Sequence, residues 1–176
     1  MKILKFTGIV LGALVVLFFL IALFLPNQSR VERSITINKS AKEVYRVLID
    51  FKLYEHWNPF LKMEPKAKHA FSTPSNQVGS SWEWDGEKTG KGKITHSRIV
   101  ENSEIEERLD FFAPMKGDAK AIYFLEPGEN GGTKVRWVYE GEASYPSGRY
   151  MALMMDSMLG PAFELGLKDL KAILEN

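Results

Sequence analysis

An α+β domain of about 150 residues, carried behind one apolar helix, is the fold class the sequence predicts. Three observations predict it. Phe6–Leu25 is a run of twenty residues without a charge. From Ser80 to Glu142 short segments of alternating polarity are cut by Gly and Pro turns, the pattern of antiparallel strands. From Gly148 to Glu175 the apolar residues return at helical spacing.

The first run, Phe6–Leu25, is long enough as a helix to cross about 30 Å of hydrocarbon. A short basic N-terminus, residues 1–5 with Lys2 and Lys5, precedes it, and residues 26–29 read as a linker. A cleaved signal peptide has an apolar core of about 7–15 residues and small residues before the cut. Here the core is longer, and Leu23-Phe24-Leu25-Pro26 offers no such site. The expectation is a single-pass anchor in the cell membrane. Lys2 and Lys5 favour a cytoplasmic N-terminus, although Arg30 and Arg33 argue the other way; the domain is expected outside the cytoplasm.

Residues 30–176 form the folded part. Arg30–Ile37 alternates and is β-branched, a first strand. Ser40 with Glu43 three residues on is a capping box for a helix from Ala41, and Val44, Val47, Leu48 and Phe51 fall on its apolar side. Residues 52–66, aromatic and interrupted by Pro59 and Pro65, predict a short helix and a loop. Residues 67–79 are too poorly patterned to predict a strand firmly. Strands follow at 80–85, 93–100, 104–112, 119–125 and 133–142. Pro127–Gly132 is the clearest turn between them. The last segment is a long helix that Pro161 is expected to kink or restart.

Composition narrows the chemistry. The chain has no cysteine, which excludes disulfides, thiolate metal sites and a Cys nucleophile. Without Lys2 and Lys5 the remainder carries 21 basic against 22 acidic residues, so it lacks the basic excess that nucleic-acid binding needs. Three scattered histidines, His56, His69 and His96, show no metal-ligand spacing, and no metal or cofactor is expected. No Gly-x-Ser-x-Gly elbow is present, and Gly90-x-Gly92 reads as a turn. Lys88, Lys91 and Lys93 make a small basic hairpin, most simply a solvated turn.

Several local motifs occur in a set order. They are Val31-Glu32-Arg33-Ser34-Ile35-Thr36-Ile37, Ala41-x-x-Val44-Tyr45, Trp57-Asn58-Pro59, Gly79-x-x-Trp82, Gly132-Thr133-x-Val135-x-Trp137 and Gly160-Pro161-x-Phe163-Glu164-x-Gly166-Leu167-x-x-Leu170-Lys171. In this order the chain resembles the START-like, or SRPBCC, superfamily, in particular its polyketide cyclase/dehydrase-like branch, over about residues 30–175. The resemblance implies a helix-grip fold, in which a curved antiparallel sheet wraps a long C-terminal helix and leaves a cavity between them. Members of the superfamily include lipid carriers, receptors, cyclases and co-chaperones, so fold alone does not assign function.

Under that resemblance the cavity would be lined from three sources. The Met cluster Met151, Met154, Met155 and Met158, with Phe163, would come from the long helix, where methionine adapts to irregular ligands. Trp57, Trp82, Tyr123, Trp137 and Tyr139 would supply rings with polar tips. Leu109 and Phe111 would complete the floor. Glu107 shares the face of Ile105, Leu109 and Phe111. A carboxylate there needs a partner, and Arg98 or Arg136 are candidates. Glu107, His96 and Tyr139 are the candidate acid–base residues. The leading expectation is a membrane-held domain binding a lipid or other small hydrophobic ligand. A cyclase/dehydratase-type enzyme and a protein-interaction module are the alternatives.

Overall fold

Lys2–Phe24 forms helix α1. The computed structural model describes residues 2–176, with side chains from Lys5 onward, so Met1 and the Lys2 side chain of the basic N-terminus lie outside the described residues. Lys5–Phe24 is long and apolar enough to cross a membrane and is almost wholly unburied by the rest of the chain.

Seven strands form one antiparallel sheet in the order β1-β7-β6-β5-β4-β3-β2. They are β1 (Gln28–Ile37), β2 (Lys68–Phe71), β3 (Ser81–Gly86), β4 (Gly90–Val100), β5 (Glu104–Ala113), β6 (Gly117–Pro127) and β7 (Thr133–Glu142). β1 starts at Gln28, inside the span read as linker, so only Leu25–Asn27 separates it from α1. Between β1 and β2 lie α2 (Ala41–Leu48), a 3-10 turn (Phe51–Leu53), α3 (Tyr54–Trp57) and α4 (Pro59–Met63). The capping box holds: Ser40 N–H donates to Glu43 Oε2 at 3.0 Å, and the Ser40 side chain accepts from the Glu43 N–H. Asn58 caps α4 by accepting from the Phe60 N–H at 3.0 Å, with Pro59 in the first turn, where its missing donor costs nothing.

The long helix α5 (Ser147–Glu175) runs through Pro161 without interruption, where a kink or restart was expected. It lies mainly against β1. Leu159, Phe163, Leu167 and Leu170 face the sheet. Gly166 lets the helix approach closely, since a Cβ there would sit 2.8 Å from Pro59 Cδ and 2.9 Å from Trp137 Cζ3. Arg33 crosses from β1 under Gly160 and binds Asp156 and Glu164, one helical turn to either side, at 2.8 Å each. The two carboxylates push its pKa further up, and the guanidinium holds that of Asp156 down. The convex face carries ion pairs instead, Arg30 with Glu140 and Arg136 with Glu32 and Glu126 at 3.0 Å.

Candidate functional site

Two bulges in β4–β5 decide what faces the concave side. The register shifts between His96 and Arg98, so Ser97 is the extra residue. An extra residue reverses the alternation beyond it. His96 and Ile99 therefore both face inward, and Arg98 turns out to Glu104 at 2.7 Å. The expected pairing of Glu107 with Arg98 or Arg136 is thus corrected, because both arginines sit on the convex side with other carboxylates. The second bulge, opposite Lys91 and Gly92, makes Phe112 the extra residue and leaves it 53% exposed, while Phe111 faces inward, edge-on to the Trp84 ring that covers Gly92.

Glu107 is 1% exposed and His96 is fully buried. The Tyr54 hydroxyl donates to Glu107 Oε1 at 2.7 Å, with Leu48 O at 3.0 Å as a second acceptor for its single proton. His96 Nε2 lies 2.8 Å from Ile49 O. A carbonyl only accepts, so Nε2 carries a proton. Nδ1 then faces Glu107 Oε1 at 3.3 Å, without the alignment of a hydrogen bond. The imidazole and the carboxyl group thus lie side by side in the core, held by Ile49 O and by Tyr54 respectively. His96 stacks on Phe51 at 4.0 Å, and Tyr123 joins Tyr54 from the far side. Burial first, and the Glu107 charge second, push both tyrosine pKa values well up. The group is sealed beneath residues 49–57.

Tyr54 was missed in the sequence although a pattern marks it: Phe51, Tyr54 and Trp57 recur every third residue, and all three are buried. The third acid–base candidate, Tyr139, lies two strands from Glu107 in the register Glu107–Ala121–Tyr139. Its ring covers Gly141 and its hydroxyl meets Ser29; burial raises its pKa. His69 accepts the Trp82 indole N–H on Nδ1 at 3.1 Å, and burial holds its pKa down. His56 is exposed at the surface. Among the described residues no three His, Asp or Glu side chains cluster to hold a metal.

The residues expected to line a cavity divide into three groups. Trp57, Tyr123, Trp137 and Phe163 fill the space beneath the C-terminal half of α5, with Trp137 stacked on Phe163 at 4.0 Å and Trp57 edge-on to Trp137 and Tyr123. Trp82 joins this packed group at Tyr54. Met154 and Met158 are 59% and 58% exposed, and Met151 is exposed too. This corrects their assignment to the interior. The apolar stripe of α5 is wider than its sheet-facing side, and at 100° per residue these methionines fall outside the arc of Leu159, Phe163 and Leu170. Only Met155 of the cluster packs half-buried against the core.

The third group lies on a gradient of burial. Along β5 the inward residues Ile105 and Glu107 are buried, then Leu109 and Phe111 are half-open. β4 passes from buried His96 to half-open Ile94, β3 from Trp82 to Trp84, and β7 from Trp137 to Tyr139. On β3, β5 and β7 the concave face uncovers towards the same end, the one where β1 leaves α1, while on β4 Ile94 is half-open between buried His96 and buried Gly92. A cleft of about 410 Å³ lies at that end, bordered by Gln28–Arg30, Asp118–Lys120 and Glu140–Glu142. A smaller one, about 280 Å³, lies between β1 and α5 near Arg33 and Glu164.

Comparison with known proteins gives three findings. The family model described as polyketide cyclase / dehydrase and lipid transport matches residues 28–175. Solved structures share the fold. Protein CV1439 from Chromobacterium violaceum is 22% identical with a TM-score of 0.56, covering 86% of this chain and 99% of its own. Protein SA2116 from Staphylococcus aureus is 14% identical with a TM-score of 0.59, covering 84% and 94%. The Aha1 dimer from Colwellia psychrerythraea is 18% identical with a TM-score of 0.55, covering 84% and 98%. No curated protein matches the sequence.

Proposed function

The chain belongs to the polyketide cyclase / dehydrase and lipid transport family, and on that premise we propose that it binds a lipid or other small apolar molecule on its concave face while α1 holds it in a membrane. The observation that carries this reading is the burial gradient. Leu109, Phe111, Ile94, Trp84 and Tyr139 present a half-open apolar floor with one hydroxyl for orientation, the chemistry of a small-molecule site. Apolar area left open in this way costs free energy until something covers it. The uncharged helix supplies the tether, and Lys2 and Lys5 favour a domain on the extracytoplasmic side.

The enzyme reading has less support. Its acid–base pair, Glu107 and His96, is closed to solvent, and a general base must come within hydrogen-bond reach of its substrate. Native mass spectrometry of the full chain released from detergent micelles tests the binding reading after incubation with a long-chain fatty acid. The expected result is a bound mass on the wild type, with Leu109→Lys weakened about ten-fold or more by the buried charge. A wild type that stays empty, or equal occupancy in both proteins, would count against it.

A further inference from the structure

The strand register fixes which turns lie next to α1. Only three residues separate β1 from α1, so the end of the sheet carrying Gln28 is the near end. Ser29 pairs with Gly141, Gly141 with Ala119, and Ala119 with Leu109. Two turns therefore hang from the near end, Pro114–Lys116 between β5 and β6 and Glu87–Thr89 between β3 and β4. The turns at Glu101–Ser103 and Gly128–Gly132 hang from the far end, beside the pair Ile37–Thr133.

The two ends differ in chemistry. The far turns are glycine, asparagine, serine and glutamate. Of the two near turns, Glu87–Thr89 is polar and held by Glu64, and Pro114–Lys116 shows Met115 at 61% exposure, next to the bulged Phe112, with Lys116 beside them. The first turns of α5 add the exposed Met151, Met154 and Met158.

The start of α5 and Tyr145 just before it are bound directly to the apolar helix. The Tyr145 hydroxyl donates to Phe19 O at 3.0 Å, and the Tyr150 hydroxyl to Phe18 O at 2.6 Å. The Tyr150 ring stacks on Phe18. Arg149 donates to Ala22 O and Leu23 O at 2.9 and 3.0 Å, capping carbonyls that the helix end leaves free. Phe18 lies about 9 Å along the axis from the end of α1. Two tyrosines and an arginine at the last turns of a spanning helix occupy the level of the lipid headgroups.

We propose that the β5–β6 turn and the first three turns of α5 form a rim that enters the headgroup–acyl boundary of the bilayer crossed by α1, so that the half-open floor faces lipid rather than water. This rests on the tethered binding reading above. The occupant is the bilayer itself: the rim continues the contact that α5 already makes with α1, and its apolar side chains match the acyl boundary. A ligand would pass between bilayer and floor without crossing water.

The chain has no cysteine, so single cysteines can report position. Met115→Cys and Met154→Cys, with Asn130→Cys on a far turn as control, are labelled with an environment-sensitive fluorophore in the full chain. Each protein is reconstituted into phosphatidylcholine vesicles with and without lipids carrying a nitroxide near the headgroup. Labels at 115 and 154 should be blue-shifted and quenched about two-fold or more by the nitroxide lipid, and the label at 130 should not. Unquenched labels at 115 or 154 in vesicle-bound protein would overturn the rim, including labels shielded from water without quenching, which would mean that protein covers them. Flotation of the same samples separates the causes. A chain that fails to float with vesicles overturns the anchor and the rim together, while ligand occupancy by mass spectrometry reports the binding reading independently.

Discussion

Glu107 is the residue whose burial demands the most from its neighbours. It reaches the interior with His96 Nδ1 3.3 Å away and one hydrogen bond from Tyr54 at 2.7 Å. Removing one member of such a buried set leaves the others uncompensated, at a cost of about 3–5 kcal/mol. Glu107→Ala should therefore lose about that much in urea unfolding of the full chain in detergent. Glu107→Gln keeps an oxygen for Tyr54 and should lose clearly less. Equal losses would contradict the Tyr54 hydrogen bond as what holds this side chain in the interior. The need for a partner was legible in the sequence, because Glu107 alternates with Ile105 and Leu109. The partner was not. One extra residue, Ser97, moves Arg98 to the other face and leaves His96 opposite Glu107. A bulge leaves no mark in the polarity of its own strand.

Among the elements, α5 shows how far periodicity reaches. Its length and its apolar stripe were readable, and so was the capping box that starts α2. Which part of the stripe meets the sheet was not, because that depends on β1, more than a hundred residues away. Arg33 sets the roll of the helix through Asp156 and Glu164, with Gly160 making room for its guanidinium. Gly166 sets the distance. Gly166→Ala would drive a methyl group into Pro59 and Trp137, neither of which can swing aside. Overpacking of this kind costs about 1–3 kcal/mol. The expected loss should be measurable by urea unfolding, and an unchanged midpoint would show that α5 stands further from the sheet than described. β2 escaped sequence reasoning for a simpler reason. It is four residues long and lies at the sheet edge, so its alternation is too short to register.

On the scale of the whole molecule, α5 lies along β1, and the inward faces of β3, β5 and β7 are buried at one end and half-open at the other. Aromatic side chains close the far half, and the near half, beside α1, keeps an apolar floor half-covered. Composition and strand patterning carried the α+β class, and family resemblance supplied the curved sheet around the helix. The direction in which the face opens was beyond the sequence, since it is a property of how seven strands pair and where the helix lies across them. The gradient runs towards the apolar helix on β3, β5 and β7, which is the observation that favours the proposed tethered binding over a sealed acid–base site. The most direct test is to photolabel the full chain in nanodiscs with a fatty acid bearing a diazirine at its chain end and to map the adducts by peptide mass spectrometry. Adducts are expected on Leu109–Phe111, Tyr139 and Met155 in addition to α1. Adducts confined to α1, or shared only with convex-face residues such as Phe124, would contradict it.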